Sequence, residues 1–208
     1  MAQVLFIKAN GRPAEQSASV KLYDAFAASY KESHPQDSVT ELNLFDLDLP
    51  YYDNTMLTGL YKAGQGYELT PEEKRAADLA NGYLDQFLAA DKVMIAFPLW
   101  NFTIPAQLLT YIFYLNQAGK TFKYTAQGPV GLLGGKKVAL LNARGGVYSE
   151  GPMAGLEMSL NYVKNTLAFW GVTDVETVVV EGHNQFPDRA EAILGEGLKQ
   201  AAAVAASF

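Results

Sequence analysis

Cysteine is missing from all 208 residues, which excludes disulfides, thiolate nucleophiles, zinc ribbons and iron–sulfur ligation together. Such a chain suits a reducing compartment or one that meets redox stress, and any redox chemistry must come from a bound group. Basic residues are also few. Sixteen Lys and Arg against 22 Asp and Glu leave a formal charge of −6, so the chain has no electrostatic footprint for nucleic acid or for an anionic membrane surface. No apolar stretch approaches the roughly 20 residues that a membrane span needs, and no basic segment followed by an apolar run opens the chain. A soluble, cytoplasmic protein is expected. The two histidines, His34 and His183, are too far apart to make a metal site by themselves.

Several phosphate and nucleophile motifs are absent as well. Gly64-x-Gly66 lacks the third glycine of a dinucleotide fingerprint because Leu69 stands there, and no strand precedes it. Gly135-Lys136 is not a P-loop, since Val130 and Lys137 occupy the positions of its Gly and Ser or Thr. There is no G-x-S-x-G nucleophile elbow.

What is present is an apolar content of 49%, enough to bury a full core, and one domain spanning 1–208 is expected. Apolar runs predict strands at Val4–Lys8, Val39–Leu42, Val93–Phe97, Lys137–Leu141 and Val175–Val180. Helical spacing predicts helices at Ser17–Ser33, from Pro71 to about Ala89, from Pro105 onward, at Pro152–Trp170 and at Pro187–Ala206. Thr70-Pro71-Glu72-Glu73 carries an N-cap, a proline at the first helical position and a capping-box glutamate. Phe45 to Thr70 shows no regular pattern and reads as a long excursion that lids or lines a site. Lys123 to Leu133 reads as a connecting loop or short hairpin. The alternation predicts an α/β fold with a five-stranded parallel sheet covered by helices on both faces.

Three strands end in loops suited to a flat, hydrogen-bonding cofactor, and a flavin is the first to test. After the third strand, Pro98 ends the ladder, and Leu99, Trp100, Asn101 and Phe102 offer aromatic faces and an amide; the plain alternative puts both aromatics in the core. After the first, Asn10-Gly11-Arg12 leads to Ser17-Ala18-Ser19 at a helix start, where a phosphate would meet open N–H groups and two hydroxyls; the plain alternative makes Ser17 an ordinary N-cap. After the fourth, Asn142-Ala143-Arg144-Gly145-Gly146-Val147-Tyr148 places two glycines where backbone amides can approach a ligand; the plain alternative is a turn. In a sheet of order 2-1-3-4-5 these three ends are neighbours, and one crevice would collect them. His183, after the fifth strand, either touches the cofactor's surroundings or turns the chain.

Ser17-x-Ser19, Pro98-Leu99-Trp100-Asn101-Phe102-Thr103-Ile104-Pro105 and Arg144-Gly145-Gly146, in this order, resemble the FMN-dependent NADH azoreductases. The likeness continues through Ala118–Tyr124 and Gly128-Pro129-x-Gly131-Leu132. It implies a flavodoxin-like three-layer sandwich that binds FMN, takes electrons from NADH and reduces azo compounds and quinones by ping-pong hydride transfer. It further implies that Ser17, Ala18 and Ser19 hold the phosphate. Pro98, Leu99, Trp100, Asn101 and Phe102, with Asn142, Ala143, Arg144, Gly145 and Gly146, would hold the ring. Asn101 and Tyr124 would act in catalysis, and no metal is implied. A homodimer is also implied, in which Tyr124 and the Phe45–Thr70 segment reach the partner's flavin; the apolar run Tyr111–Leu115 suits such an interface. Leu99-Trp100, where some members have Met-Tyr, and Asn142, where some have Ser, bear on substrate preference and flavin potential. The other readings are a reductase acting chiefly on quinones and a flavodoxin-like electron carrier without substrate turnover.

Overall fold

The computed structural model describes residues 1–208 and builds a five-stranded parallel sheet from β1 (Gln3–Lys8), β2 (Ser38–Asn43), β3 (Lys92–Pro98), β6 (Lys137–Arg144) and β7 (Asp174–Glu181). Its order is β2-β1-β3-β6-β7, which is the expected 2-1-3-4-5 with the parallel strands counted alone. The two missing numbers belong to a separate antiparallel hairpin, β4 (Phe122–Thr125) and β5 (Gly128–Gly131). The three central strands carry four to seven consecutive buried residues, because helices cover both faces. The edge strand β7 alternates instead, and the other edge strand, β2, buries only Leu42.

Successive strand residues point to opposite faces, and the core divides accordingly. Leu5, Ile7, Val93, Ile95, Val138 and Leu140 face α3 (Pro71–Ala89), α4 (Ala106–Leu115) and α5 (Leu160–Phe169). Val4, Phe6, Met94, Ala96, Ala139 and Leu141 face α1 (Ala18–Ser33) and α6 (Ala190–Ser207). At Gly197 the close approach of α6 leaves no room for a side chain, since a Cβ there would lie 2.1 Å from Val180 Cγ2. Gly131 similarly lets the hairpin close on Gly171, at the turn that follows α5.

The helix start at Thr70 forms as expected: Glu73 N donates to Thr70 Oγ1 at 3.2 Å, and Thr70 N donates to Glu73 Oε2 at 2.9 Å. The Phe45–Thr70 excursion contains one more helix, α2 (Asn54–Gln65). Asp53 caps it by accepting from Met56 N, and Gly66 ends it at φ 73°. Met56 and Leu60 pack on α3 and Tyr114, and Lys62 reaches Glu73 at 2.7 Å. α5 is shorter than the expected Pro152–Trp170, because the Glu157 carboxylate accepts from the N–H groups of Ser159, Leu160 and Asn161 and starts the helix there. The run Tyr111–Leu115 is mostly consumed by the chain's own core, leaving Phe113 exposed.

Tyr111 is buried beside Phe87, Ile95 and Trp170, and its hydroxyl has no hydrogen-bond partner. Burial pushes its pKa up, so it stays a neutral, unsatisfied donor. Tyr111→Phe removes that group while keeping the ring. Urea unfolding should show stability unchanged or raised by about 1 kcal/mol; a clear loss would show that the hydroxyl is paired in solution.

Candidate active site

Between the carboxyl ends of β1, β3 and β6 and the start of α1 lies a crevice of about 500 Å³, within the range of small-molecule sites. Its polar end is set by Asn10, which follows β1 and is buried. Asn10 Oδ1 accepts from Arg12 N at 2.9 Å, so its Nδ2 must point the other way, where it donates to Ser17 Oγ at 2.8 Å and Ser19 Oγ at 2.9 Å. Ser17 is also the N-cap of α1 and accepts from Val20 N at 3.3 Å. With both acceptor positions of Ser17 Oγ used, its hydroxyl hydrogen is left to donate, to Ser19 Oγ at 3.3 Å or to a ligand in the crevice. The first-turn N–H groups of Ala18 and Ser19 have no helical acceptor. Hydroxyl and amide donors therefore converge beside a helix N-terminus, which is a site for an oxyanion such as a phosphate. The N-cap reading and the phosphate reading of Ser17 are compatible.

The far wall is the end of β3. Pro98 is buried, Leu99 N donates to Ala143 O at 2.8 Å, and Leu99 and the half-buried Trp100 line the crevice. Trp100 stands edge-on to Phe45 at 6.1 Å. Trp100 and Thr103 then exchange two backbone hydrogen bonds of 2.9 and 3.0 Å around Asn101 at φ 47° and Phe102 at φ 70°. Two central residues in the left-handed region match the tight I′ hairpin turn. Asparagine tolerates that conformation; phenylalanine pays about 1–2 kcal/mol for it. The cost is met by neighbours, since Met158 N donates to Phe102 O at 3.0 Å and Tyr148 packs edge-on against the ring at 6.4 Å. Both turn residues are exposed at the outer rim.

At the end of β6, Ala143 and Gly145 line the crevice. A Cβ at Gly145 would sit 2.6 Å from Asn184 Nδ2 and would have to displace that amide, and the Gly145 carbonyl accepts from Asn184 N and Gln185 N. Gly146 lies just behind, its carbonyl accepting from Gly182 N.

The profile of the flavodoxin-like fold matches residues 2–205. The chain belongs to this flavodoxin-like family. It is 67% identical over the whole of both chains to FMN-dependent NADH:quinone oxidoreductase 1 of Listeria innocua, and 63% identical, again over full length, to FMN-dependent NADH:quinone oxidoreductase 4 of Bacillus cereus. An azoreductase crystal structure from Bacillus anthracis str. Sterne superposes with a TM-score of 0.98 at 63% identity, covering both chains completely. An FMN complex of an FMN-dependent NADH-azoreductase from Bacillus anthracis str. Ames Ancestor superposes with a TM-score of 0.88 at 32% identity, covering 99% of this chain and all of that one.

In this flavodoxin-like chain, two of the expected contacts turn away from the crevice. Asn142 and Arg144 share the α5 face of β6 with Val138 and Leu140, so their side chains lie behind the loop, fully or almost fully buried. Arg144 Nε donates to Asn142 Oδ1 at 2.6 Å, its guanidinium meets Glu181 at 3.3 Å and Glu157 at 3.8 Å, and Asn142 Nδ2 donates to Phe97 O at 3.2 Å. Burial alone would push both carboxyls up. Hydrogen bonds from Ser159, Leu160 and Asn161 to Glu157, and from Ser149 and Tyr148 to Glu181, together with Arg144, hold them below the usual carboxylate range. Tyr124 stands on β4, 74% exposed and away from this chain's crevice. The sequence reading did not single out Asn10, Lys21 and Asn184 as site residues; Asn10, directly after a strand and before the serines, was the legible one.

Two predictions test this geometry. Arg144→Met should destabilise the fold by about 3–5 kcal/mol in urea unfolding, because two poorly hydrated carboxylates lose their cation; a loss below 1 kcal/mol would show that water reaches them. Phe102→Gly should stay within about 1 kcal/mol of the parent, since relief of the left-handed strain offsets the flexibility of glycine. A loss above about 2 kcal/mol would assign the turn's stability to the ring instead.

Proposed function

We propose that this protein is an FMN-dependent NADH oxidoreductase that reduces quinones and azo compounds. The observation that carries the reading is the crevice itself. Ser17 is left as a hydroxyl donor by Asn10 and Val20 at one end, and at the other Leu99, Trp100 and the Gly145 loop form a wall suited to a flat ring. The full-length relatives bear names of that activity. When bound, FMN supplies the hydride chemistry that no side chain of this chain provides.

The residues divide the work by position. Ser17 and Ser19, with the N–H groups of Ala18 and Ser19, hold the phosphate. Pro98, Leu99 and Trp100 orient the ring from one side, and Ala143, Gly145 and Gly146 from the other. Asn101 and Phe102, exposed on the rim, face the incoming substrate. Backbone N–H groups near Asn101 and the Gly145-Gly146 turn would stabilise negative charge on the ring. Asn142 and Arg144 serve from behind the loop, shaping it without touching the ligand. Donor and acceptor use the same open face in turn, so ping-pong kinetics follow.

The working unit in this proposal is a homodimer in the cytoplasm. Leu57, Tyr61, Phe113, Tyr124 and Phe169 are large apolar or aromatic side chains left exposed, a surface that a second copy would bury. Tyr124 then acts on the partner's crevice, which explains its distance from its own. No helix is long and apolar enough to cross a membrane.

The test is anaerobic mixing of the FMN-loaded protein with NADH and then with a quinone or an azo dye. Loss of the yellow absorbance, its return on adding the acceptor, and parallel double-reciprocal plots are expected. Colour that persists with NADH would identify an electron carrier. Asn101→Ala should lower the rate of reduction or the affinity for FMN more than it lowers folding stability; unchanged activity and flavin content would remove Asn101 from the machinery.

A further inference from the structure

The donors at the polar end of the crevice are hydroxyl and backbone N–H groups without formal charge, whereas a phosphate monoester brings about −1.5 to −2 near pH 7. The acidic and basic side chains that line the crevice are Arg12, Glu15 and Lys21, besides His183, which burial keeps uncharged near pH 7. Hydrogen bonds place both cations beside the serines. Arg12 N donates to Asn10 Oδ1 at 2.9 Å, and Nδ2 of the same amide holds Ser17 Oγ and Ser19 Oγ. The Arg12 guanidinium turns back to Gln16 Oε1 at 3.4 Å, on the residue directly before Ser17. Lys21 stands one turn beyond Ser17 on α1, its N–H donating to Ser17 O at 3.1 Å, and residues four apart share a helix face. Neither Arg12 nor Lys21 takes part in any ion pair of the chain. Glu15, the carboxylate nearest in sequence, pairs with neither of them. In a chain of net charge −6, two uncompensated cations thus stand where hydroxyl and amide donors already converge.

We propose that Arg12 and Lys21 are specificity-determining residues whose charges select a phosphorylated flavin over its uncharged counterpart. The inference rests on the FMN reading above and deepens it. The serines and first-turn amides fix where the phosphate sits, and the two cations supply the charge that those donors lack. Arg12 is exposed and Lys21 half-buried, so neither has to leave water to act, and the desolvation cost that weakens buried ion pairs stays small. Charges of one sign at the mouth of a cleft also raise the encounter rate with an anion, an effect that salt screens. Glu15 acts on the same ligand with the opposite sign.

The experiment is titration of the FMN-free protein with FMN and, separately, with riboflavin, followed by flavin fluorescence. Arg12→Gln and Lys21→Gln should each weaken FMN binding by about threefold to tenfold, the range for an exposed ion pair with a nearly divalent partner. The double variant should lose about the product of the two. Glu15→Gln should tighten FMN binding by about twofold to threefold. Riboflavin, which lacks the phosphate, should bind all of these proteins equally, and that equality also reports an intact crevice. Lys31→Gln removes a cation ten residues further along α1, about 15 Å away, and should leave FMN binding unchanged. Raising sodium chloride from about 0.01 M to about 1 M, which shortens the screening length from about 30 Å to about 3 Å, should weaken FMN binding to the wild type more than to the double variant. Unchanged FMN affinity in the double variant, an equal loss for riboflavin, an equal loss in Lys31→Gln, or equal wild-type affinity for the two flavins would overturn the assignment while leaving the FMN reading intact. A wild type that binds neither flavin would overturn both.

Discussion

Arg144 carries its charge to a place with almost no access to water, and the shape of the crevice depends on how that charge is met. Removing a guanidinium from water costs several kcal/mol unless hydrogen bonds and counter-charges replace the lost solvent. Glu157, Glu181 and the Asn142 amide do so here. Each partner belongs to a different segment. Glu157 starts α5, Glu181 ends β7 and secures Tyr148 and Ser149, and Asn142 holds the last carbonyl before Pro98. One buried cation thus fixes the relative positions of three segments that frame the site. Its role is to give loops the precision that elements of regular structure would otherwise provide.

The strained turn at Asn101 and Phe102 belongs to the same economy. A left-handed phenylalanine persists only where its surroundings over-determine it, and the backbone of Met158, one residue beyond Glu157, supplies part of that restraint. Buried electrostatics behind the sheet end and backbone strain in front of it are therefore connected through a short piece of chain. The exposed rim is held in shape before any ligand arrives, which spares binding the entropy of ordering it.

Much of the architecture was legible from residue order. Continuous apolar runs marked the central strands, the Thr70-Pro71-Glu72-Glu73 sequence marked the start of α3, and alternation of strand and helix set the parallel sheet. α2 was not read, although Asp53 and Gly66 are sound helix boundaries, because its apolar positions are few and its stability comes from packing Met56 and Leu60 on α3. The start of α5 was misplaced because helix-forming residues precede it, and a carboxylate reaching three backbone amides outweighs their propensity. Within the site, Ser17 and Ser19 were found by their place at a helix start. The inward turn of Asn142 and Arg144 followed from strand parity, which a loop-based reading of β6 overlooked.

Taken alone, the order of residues determined which segments pair, which ends of strands face a ligand, and what chemistry the chain cannot perform without a cofactor. Local patterns suffice for these, since hydrophobic period, capping residues and missing cysteines act over a few positions. Only the tertiary structure decided that Asn10 makes Ser17 a hydroxyl donor beside the crevice, that Arg144 works from behind it, and that His183 lines it with one ring nitrogen buried and unpaired. Those outcomes depend on distances between side chains up to 37 positions apart in the hydrogen-bond network, and further at His183. Such distances are settled by packing, which brings distant residues together without a trace in the local sequence.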